Sequence, residues 1–314
     1  MPGTLRLVLR RTAAGVFVLW GAATLAFAAL HLVPGDVVDT LLGPGTAATP
    51  ELRERIRQDH GLDDPLIVQY LRQTGQLATG DLGHSYQLGL PVTRVLDGQL
   101  APTAELALTA TAIALLVAFA AAVLSAGRGR FVRSLVSGIE LLAVSVPSYW
   151  LGILGLTFLS YRFGLLPAAG DDGALALLLP ALTLALPIGG VLARVVRQEL
   201  DEASGRPFAL TVRARGAGER RLLLRHTLRH AALPVATLSG WIVGSLLGGA
   251  VLTETVFARP GLGRVLVTAV TSKDVPVVTA LVLLSAAAFV VVNLLVDLAY
   301  LVIDPRLRVE GAAV

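Results

Sequence analysis

The run LALTATAIALLVAFAAAVLSA, from Leu106 to Ala126, decides the fold class. Its 21 residues hold no charged side chain and no proline. About 20 apolar residues in a helix cross a hydrocarbon core of about 30 Å. Lipid offers no partner to loose backbone groups, so the run must be helical. Similar apolar runs cover Thr12–Val33, Leu141–Tyr161, Ala174–Ala193, Ala231–Thr253 and Val275–Val296, the last continuing past Asp297 to Ile303. The expectation is an all-α polytopic membrane protein with about six transmembrane helices. The first run also resembles a signal peptide, with Arg6, Arg10 and Arg11 before it and Ala26-Phe27-Ala28 inside it. Its length exceeds the usual apolar core of about 7–15 residues, which favours a retained helix.

The composition agrees. Of 314 residues, 54% are hydrophobic and 15% charged, against about 25% charged in a soluble domain. There is no cysteine, hence no disulfide framework and no thiolate metal site. The net charge of +4 at first suggests nucleic acid, but its distribution follows membrane topology. With the N-terminus in the cytoplasm, 17 of the 26 basic residues fall on inner segments. They are Arg6, Arg10, Arg11, Arg128, Arg130, Arg133, the arginines from Arg194 to Arg229, Arg306 and Arg308. Of the outer nine, five lie on the long segment 34–100, which translocates regardless of charge. The orientation is N-in and C-in, and nucleic acid is not an expected partner.

The chain reads as one domain over 1–314 with two long connections. In the outer one, 34–100, Thr49-Pro50-Glu51 reads as a helix start, with Thr49 as the cap. That helix runs to about His60, a second covers about Leu66–Leu77, and Gly80-Asp81-Leu82-Gly83 reads as a turn. The segment serves either as a folded cap over the helix ends or as a docking surface for an outer partner. The cytoplasmic connection, 195–230, breaks at Ser204-Gly205-Arg206-Pro207. Phe208–Arg215 then forms a short helix, although its near alternation also permits a strand. Gly216-Ala217-Gly218 ends it, and a second helix starts at Glu219. Arg221, Arg225 and Arg229 share one face of that helix.

No G-x-x-x-x-G-K-[ST] phosphate loop is present; Lys273 is the only lysine. No metal-ligand spacing appears among His31, His60, His84, His226 and His230, and Gly83-His84-Ser85 lacks a partner for nucleophilic catalysis. Metal and catalytic sites are therefore not expected. Charges in or near the spans are Glu105, Glu140, Glu254 and Asp297. Glu105 and Glu254 are expected at outer ends within reach of water, and Glu140 and Asp297 near inner ends, in structural roles. Pro147, Pro180 and Pro187 are expected to kink or break the third and fourth spans and are candidates to line a pathway.

Several stretches together resemble one family: the membrane permease subunits of binding-protein-dependent ABC importers, in the dipeptide, oligopeptide and nickel branch. They are His31-Leu32-Val33-Pro34-Gly35-Asp36, Gly61-Leu62-Asp63-Asp64-Pro65-Leu66-Ile67-Val68-Gln69-Tyr70 and Gly80-Asp81-Leu82-Gly83-His84-Ser85 on the outer side. Within the spans they are Ser145-Val146-Pro147-Ser148-Tyr149-Trp150 and Leu179-Pro180-Ala181-Leu182-Thr183-Leu184. Towards the end come Glu254-Thr255-Val256-Phe257, Pro260-Gly261-Leu262-Gly263, Asn293-Leu294-Leu295-Val296-Asp297 and Asp304-Pro305-Arg306. The resemblance covers nearly the whole chain.

The loop 195–230 resembles the family's ATPase-coupling motif. Gly216 takes the motif's glycine and Leu233-Pro234 its later Leu-Pro, with 16 residues between. The Glu-Ala-Ala positions read Leu210, Thr211 and Val212, so the acidic residue is missing. The resemblance implies that Pro207, Phe208, Ala209, Leu210, Thr211, Val212, Arg213, Ala214, Arg215 and Gly216 couple this chain to an ATPase. It implies alternating access, a second related permease, two cytoplasmic ATPases holding ATP and Mg, and an extracytoplasmic binding protein. This chain would then bind no cofactor, catalyse nothing, and sit with lipid in the bacterial inner membrane. A nickel chelate competes with di- and oligopeptides as the cargo. A self-sufficient secondary transporter predicts central carboxylates or an internal repeat, and neither is visible. A membrane-anchored enzyme needs a catalytic constellation, which is missing.

Overall fold

The computed structural model describes residues 2–32, 37–42, 49–125, 128–168, 173–222 and 227–303. Among these, the only β pairing is one isolated bridge, His84 to Pro91. The chain folds as two compact units. One comprises Met1–Leu100, Arg264–Val291 and Val309–Val314, the other Ala101–Gly263 and Val292–Arg308.

The first unit contains α1 (Pro2–Leu32), α2 (Val37–Leu42), α3 (Pro50–His60), α4 (Leu66–Ala78) and α5 (Val92–Leu96). It also takes most of α14 (Leu262–Thr271) and the first half of α15 (Val275–Ile303). Helix α3 starts as the sequence predicts. Thr49 Oγ1 accepts the Leu52 N–H at 3.3 Å, and Pro50 fills the first helical position. Gly61 ends it with φ 59°, a conformation glycine takes without steric cost. Helix α4 is fastened to both long helices. Tyr70 Oη bonds Thr24 Oγ1 of α1 at 2.8 Å, and Gln73 donates to Thr279 Oγ1 of α15 at 2.8 Å. The outer segment is thus folded, and Arg72 pairs with Asp64 at its surface.

The second unit contains α6 (Leu100–Ser125), α7 (Arg130–Ser145), α8 (Ser148–Gly155) with a π-helical stretch Leu156–Arg162, and α9 (Ala174–Gly205). Then come α10 (Pro207–Ala214), α11 (Glu219–Leu222), α12 (Leu228–Thr237) and α13 (Ser239–Val256). Helix α9 is central and packs against α7, α8, α10, α12 and α13. Ala110, Ala114, Ala118 and Ala122 of α6 are fully buried. Their four-residue spacing puts small side chains on one stripe, which lets helix backbones approach. A Cβ on Gly189 of α9 would lie 3.2 Å from the Ala114 carbonyl oxygen. Ala181, Leu184, Ala185, Ile188 and Leu192 of α9 complete this core with Ile242, Leu246 and Ala250 of α13.

Among the described residues, four helices have the length and composition to cross a membrane: Leu9–Leu32, Leu100–Ser125, Ala174–Gly205 and Val275–Leu298. The expected third span, Leu141–Tyr161, is instead a bent pair, Arg130–Ser145 and Ser148–Arg162, with 100° between the pieces. Pro147 causes the break. It forces Val146 out of the helical region (φ −84°, ψ 126°), as the residue before proline generally is. The expected fifth span, Ala231–Thr253, is divided at Leu238 into α12 and α13. Hydrogen bonds cross that joint, from Leu238 N to Pro234 O (3.3 Å) and from Ile242 N to Leu238 O (2.9 Å). Pro180 and Pro187 do not break the fourth span; α9 runs through both. A mostly buried helix held by neighbours on several sides tolerates the two lost bonds.

Candidate functional site

The candidate coupling segment follows α9 directly. Arg206 is extended (φ −73°, ψ 154°) and Pro207 starts α10. The helix is closed by Gly216 with φ 79°. Gly216 N–H donates to Arg213 O at 2.9 Å, and Ala217 N–H reaches back to Val212 O at 3.3 Å. This paired closure needs a left-handed residue after the helix, usually glycine. The strand alternative is excluded.

The segment is also sided. Ala209 is fully buried, whereas Leu210 is 67% exposed. Pro207, Leu210, Thr211 and Ala214 form the outward face, with Arg215 and Gly216 beside it. Phe208, Val212 and Arg213 are half-buried, and Arg213 donates to Ser204 O on α9 at 3.2 Å. Leu210 thus stands in the middle of the outward face of α10. Of the arginine row after Gly218, Arg221 is exposed, while Arg225 and His226 lie outside the described residues. So do the motif residues Val33, Pro34, Gly35, Asp36, Asp304, Pro305 and Arg306.

Glu140 of α7 is buried and bound in bidentate fashion by Arg197 of α9. Nη1 donates to Oε1 at 3.0 Å and Nη2 to Oε2 at 2.5 Å. Arg133 of α7 pairs with Asp201, one turn further along α9. Sequence reasoning singled out Glu140 but not its partners. The signal was available: Arg197 and Asp201 are four apart at the inner end of an apolar helix, opposite charges seven apart on α7. Removing one member of a buried pair costs about 3–5 kcal/mol.

Glu254 was expected within reach of water and is instead buried. Its carboxylate accepts from the Thr103 hydroxyl (2.6 Å) and the Gly263 N–H (2.8 Å). Leu262 N–H donates to the same hydroxyl oxygen at 2.9 Å. The Pro260-Gly261-Leu262-Gly263 motif wraps this carboxylate. A Cβ on Gly261 would lie 2.2 Å from Glu254 Cδ, and one on Gly263 would lie 2.5 Å from Val251 Cα. Nearby Arg259, which the sequence did not single out, is fully buried. Its Nη2 lies 3.8 Å from Glu105, and its Nε and Nη1 find no partner among the described residues.

In the first unit Asp274 anchors the outer motif. Ser85 Oγ donates to it, and so do Tyr86 N–H at 3.0 Å and Gln87 N–H at 3.4 Å. Burial, then the Asp274 charge, raises the Tyr86 phenol above its ordinary value of 10.0. A cleft of about 570 Å³ lies beside it, lined among others by His31, Gln69, Gln73, Gln76, Asp81 and His84. Among the described residues no three His, Cys, Asp or Glu side chains gather to hold a metal ion.

These features define a polytopic all-α membrane protein whose buried central span is followed, after the extended Arg206, by a capped surface helix. The chain belongs to the family described as binding-protein-dependent transport system inner membrane component, whose model matches residues 114–309, with the family's N-terminal part at 4–106. It is 40% identical over 313 residues to a putative peptide transport system permease protein of Brucella abortus, covering 97% of this chain and 99% of that one. A glutathione transport system permease protein of Escherichia coli is 35% identical over 305 residues, with the same coverage. A probable peptide ABC transporter permease protein of Sinorhizobium fredii is 34% identical over 310 residues, covering 96% and 98%. The chain is thus a multi-pass permease of a bacterial inner membrane, working with a binding protein and an ATPase.

Proposed function

We propose that this chain is one of two related permease subunits that together enclose a pathway for di- and oligopeptides. Two cytoplasmic ATPases bind ATP and Mg and drive it, and the chain itself binds no cofactor and catalyses no reaction. The peptide assignment takes its support from relatives named for peptide or glutathione transport across nearly their full length. Pro207–Gly216 is the part that meets an ATPase.

The observation that carries the coupling reading is the outward face of α10, built on the end of the central helix. A push on Leu210 has no flexible linker to absorb it. Only Arg206 separates α10 from α9, and Ala209 is packed in place. Such a joint turns ATPase closure into rigid-body motion of the spans, an element with two discrete arrangements. Reconstitution in liposomes with the second permease, the ATPases and the binding protein tests the function. ATP-dependent uptake of a labelled tripeptide is the expected result. Uptake by this chain alone, driven by a proton gradient, overturns it.

A further inference from the structure

We propose that the Glu140–Arg197 and Arg133–Asp201 ion pairs are positioning pairs. They make α7, the last turns of α9 and the coupling helix α10 one rigid strut, hinged at Val146-Pro147, that carries the push from α10 to α8. The inference rests on the coupling reading of α10 given above.

Four observations carry it. Arg197 lies roughly 12 Å of helix before Gly205, and Asp201 one turn closer to α10. Both pairs therefore grip the part of α9 that supports the coupling helix. The two helices run antiparallel there: Arg133 meets Asp201, Glu140 meets Arg197, and a Cβ on Gly190 would lie 3.1 Å from Glu140 O and from Val144 Cγ2. The contact leaves no slack for sliding. The buried pair is bidentate, which fixes rotation and register as a point charge does not. Well-packed apolar residues usually stabilise such a place at least as well as an ion pair, so stability alone is a poor reason for the pair. Finally, α7 ends in the 100° break at Pro147, and α8 beyond it is closely seated. A Cβ on Gly152 would lie 3.2 Å from Phe257 and 3.3 Å from Thr183, and one on Gly155 would lie 2.8 Å from Leu179. A push on α10 therefore arrives twice at the far half of α9: along α9 itself, and around through α7, the hinge and α8.

The chain has no cysteine, so the outer rung can be rebuilt covalently. In the assembled complex, Arg133→Cys with Asp201→Cys is treated with a short bifunctional thiol reagent. The readout is labelled tripeptide transported per ATP hydrolysed. Before cross-linking the ratio falls; after it, the ratio returns to the wild-type value. A further fall on cross-linking means that α7 and α9 must slide, and overturns the strut. Glu140→Gln is expected to keep binding-protein-stimulated ATP hydrolysis while the ratio drops roughly 2- to 30-fold. The same cross-link added to Glu140→Gln restores it. A normal ratio in Glu140→Gln, or no restoration, overturns the proposal. If that variant does not assemble, Asp201→Asn on the exposed rung takes its place with the same readout. Leu210→Arg, which puts the opposite charge where the motif carries an acid, separates the two readings. Normal stimulation and transport there sink the coupling role of α10. A defect there beside a normal ratio in Glu140→Gln sinks the strut alone.

Discussion

At the scale of single residues, glycines carry much of the motif content, for two different reasons. Gly216 is needed for its backbone. It sits at φ 79° and a Cβ there would meet nothing within 4 Å, so a side chain costs strain without a clash, about 1–2 kcal/mol. Gly216→Val is expected to insert and assemble normally but to lose most binding-protein-stimulated ATP hydrolysis and transport, whereas Gly216→Asn keeps both. Normal transport in Gly216→Val would return the segment to a passive loop. Gly261 is needed for space as well as for its backbone, which sits at φ 157°. Gly261→Ala drives a methyl into the Glu254 carboxylate and breaks its bonds to Thr103 and Gly263. The expected loss is about 1–3 kcal/mol or more, read as a lower unfolding temperature of the purified complex. Gly244→Ala, where nothing lies within 4 Å, is the control, with a change of about 0.5 kcal/mol at most.

Tyr86 adds a pH dependence. Its phenol is raised in the folded chain, by burial first and Asp274 second. The folded state therefore holds the proton more tightly than the unfolded one. The stability this contributes is complete below the ordinary value of 10.0 and is lost as the pH rises through the folded value. Near neutral pH no effect is expected. In an ultraviolet titration of the five tyrosines, Tyr86→Phe should remove a late component; loss of an early one would contradict the burial. The legibility of the sequence at this scale was uneven. The cap at Thr49 and the stop at Gly216 depend on local backbone chemistry, which residue types announce. The pairing of Asp274 with Ser85, or of Glu140 with Arg197, joins distant parts of the chain. A sequence marks the charges but not their partners.

At the scale of elements, length and apolarity identified the long helices, because the bilayer sets both. Breaks were harder. Three prolines carry one local signal, yet Pro147 breaks its span while α9 runs through Pro180 and Pro187. The difference lies in what surrounds them. Pro147 follows a residue free to turn extended, whereas α9 is clamped by α7, α8, α12 and α13. The alanine stripe of α6 was visible as a spacing but not as a contact until Gly189 appeared opposite Ala114. Ala114→Leu is accordingly expected to overpack this seam and to cost about 1–3 kcal/mol. Leu116→Ala, on the exposed side of the same helix, should be nearly silent. Equal unfolding temperatures for the two variants would refute the seam.

At the scale of the whole molecule, the coupling role requires that α10 face the cytoplasm and the segment holding α4 the opposite side of the membrane. The arginine asymmetry predicts N-in and C-in, with the segment holding α4 outside and the one holding α10 inside. The folded chain offers one clean reporter on each side. Gly75 on α4 and Gly218 after α10 are exposed, and a Cβ at either meets nothing within 4 Å. Neither has positive φ, so Gly75→Cys and Gly218→Cys should disturb little beyond the helix propensity at Gly75. With no native cysteine to compete, an impermeant maleimide applied to intact cells should label Gly75→Cys and leave Gly218→Cys untouched until the membrane is opened. Labelling of Gly218→Cys from outside would place α10 away from any cytoplasmic ATPase. The coupling face and the strut behind it would then both have to be abandoned, because neither has a partner on the outer side that could push it.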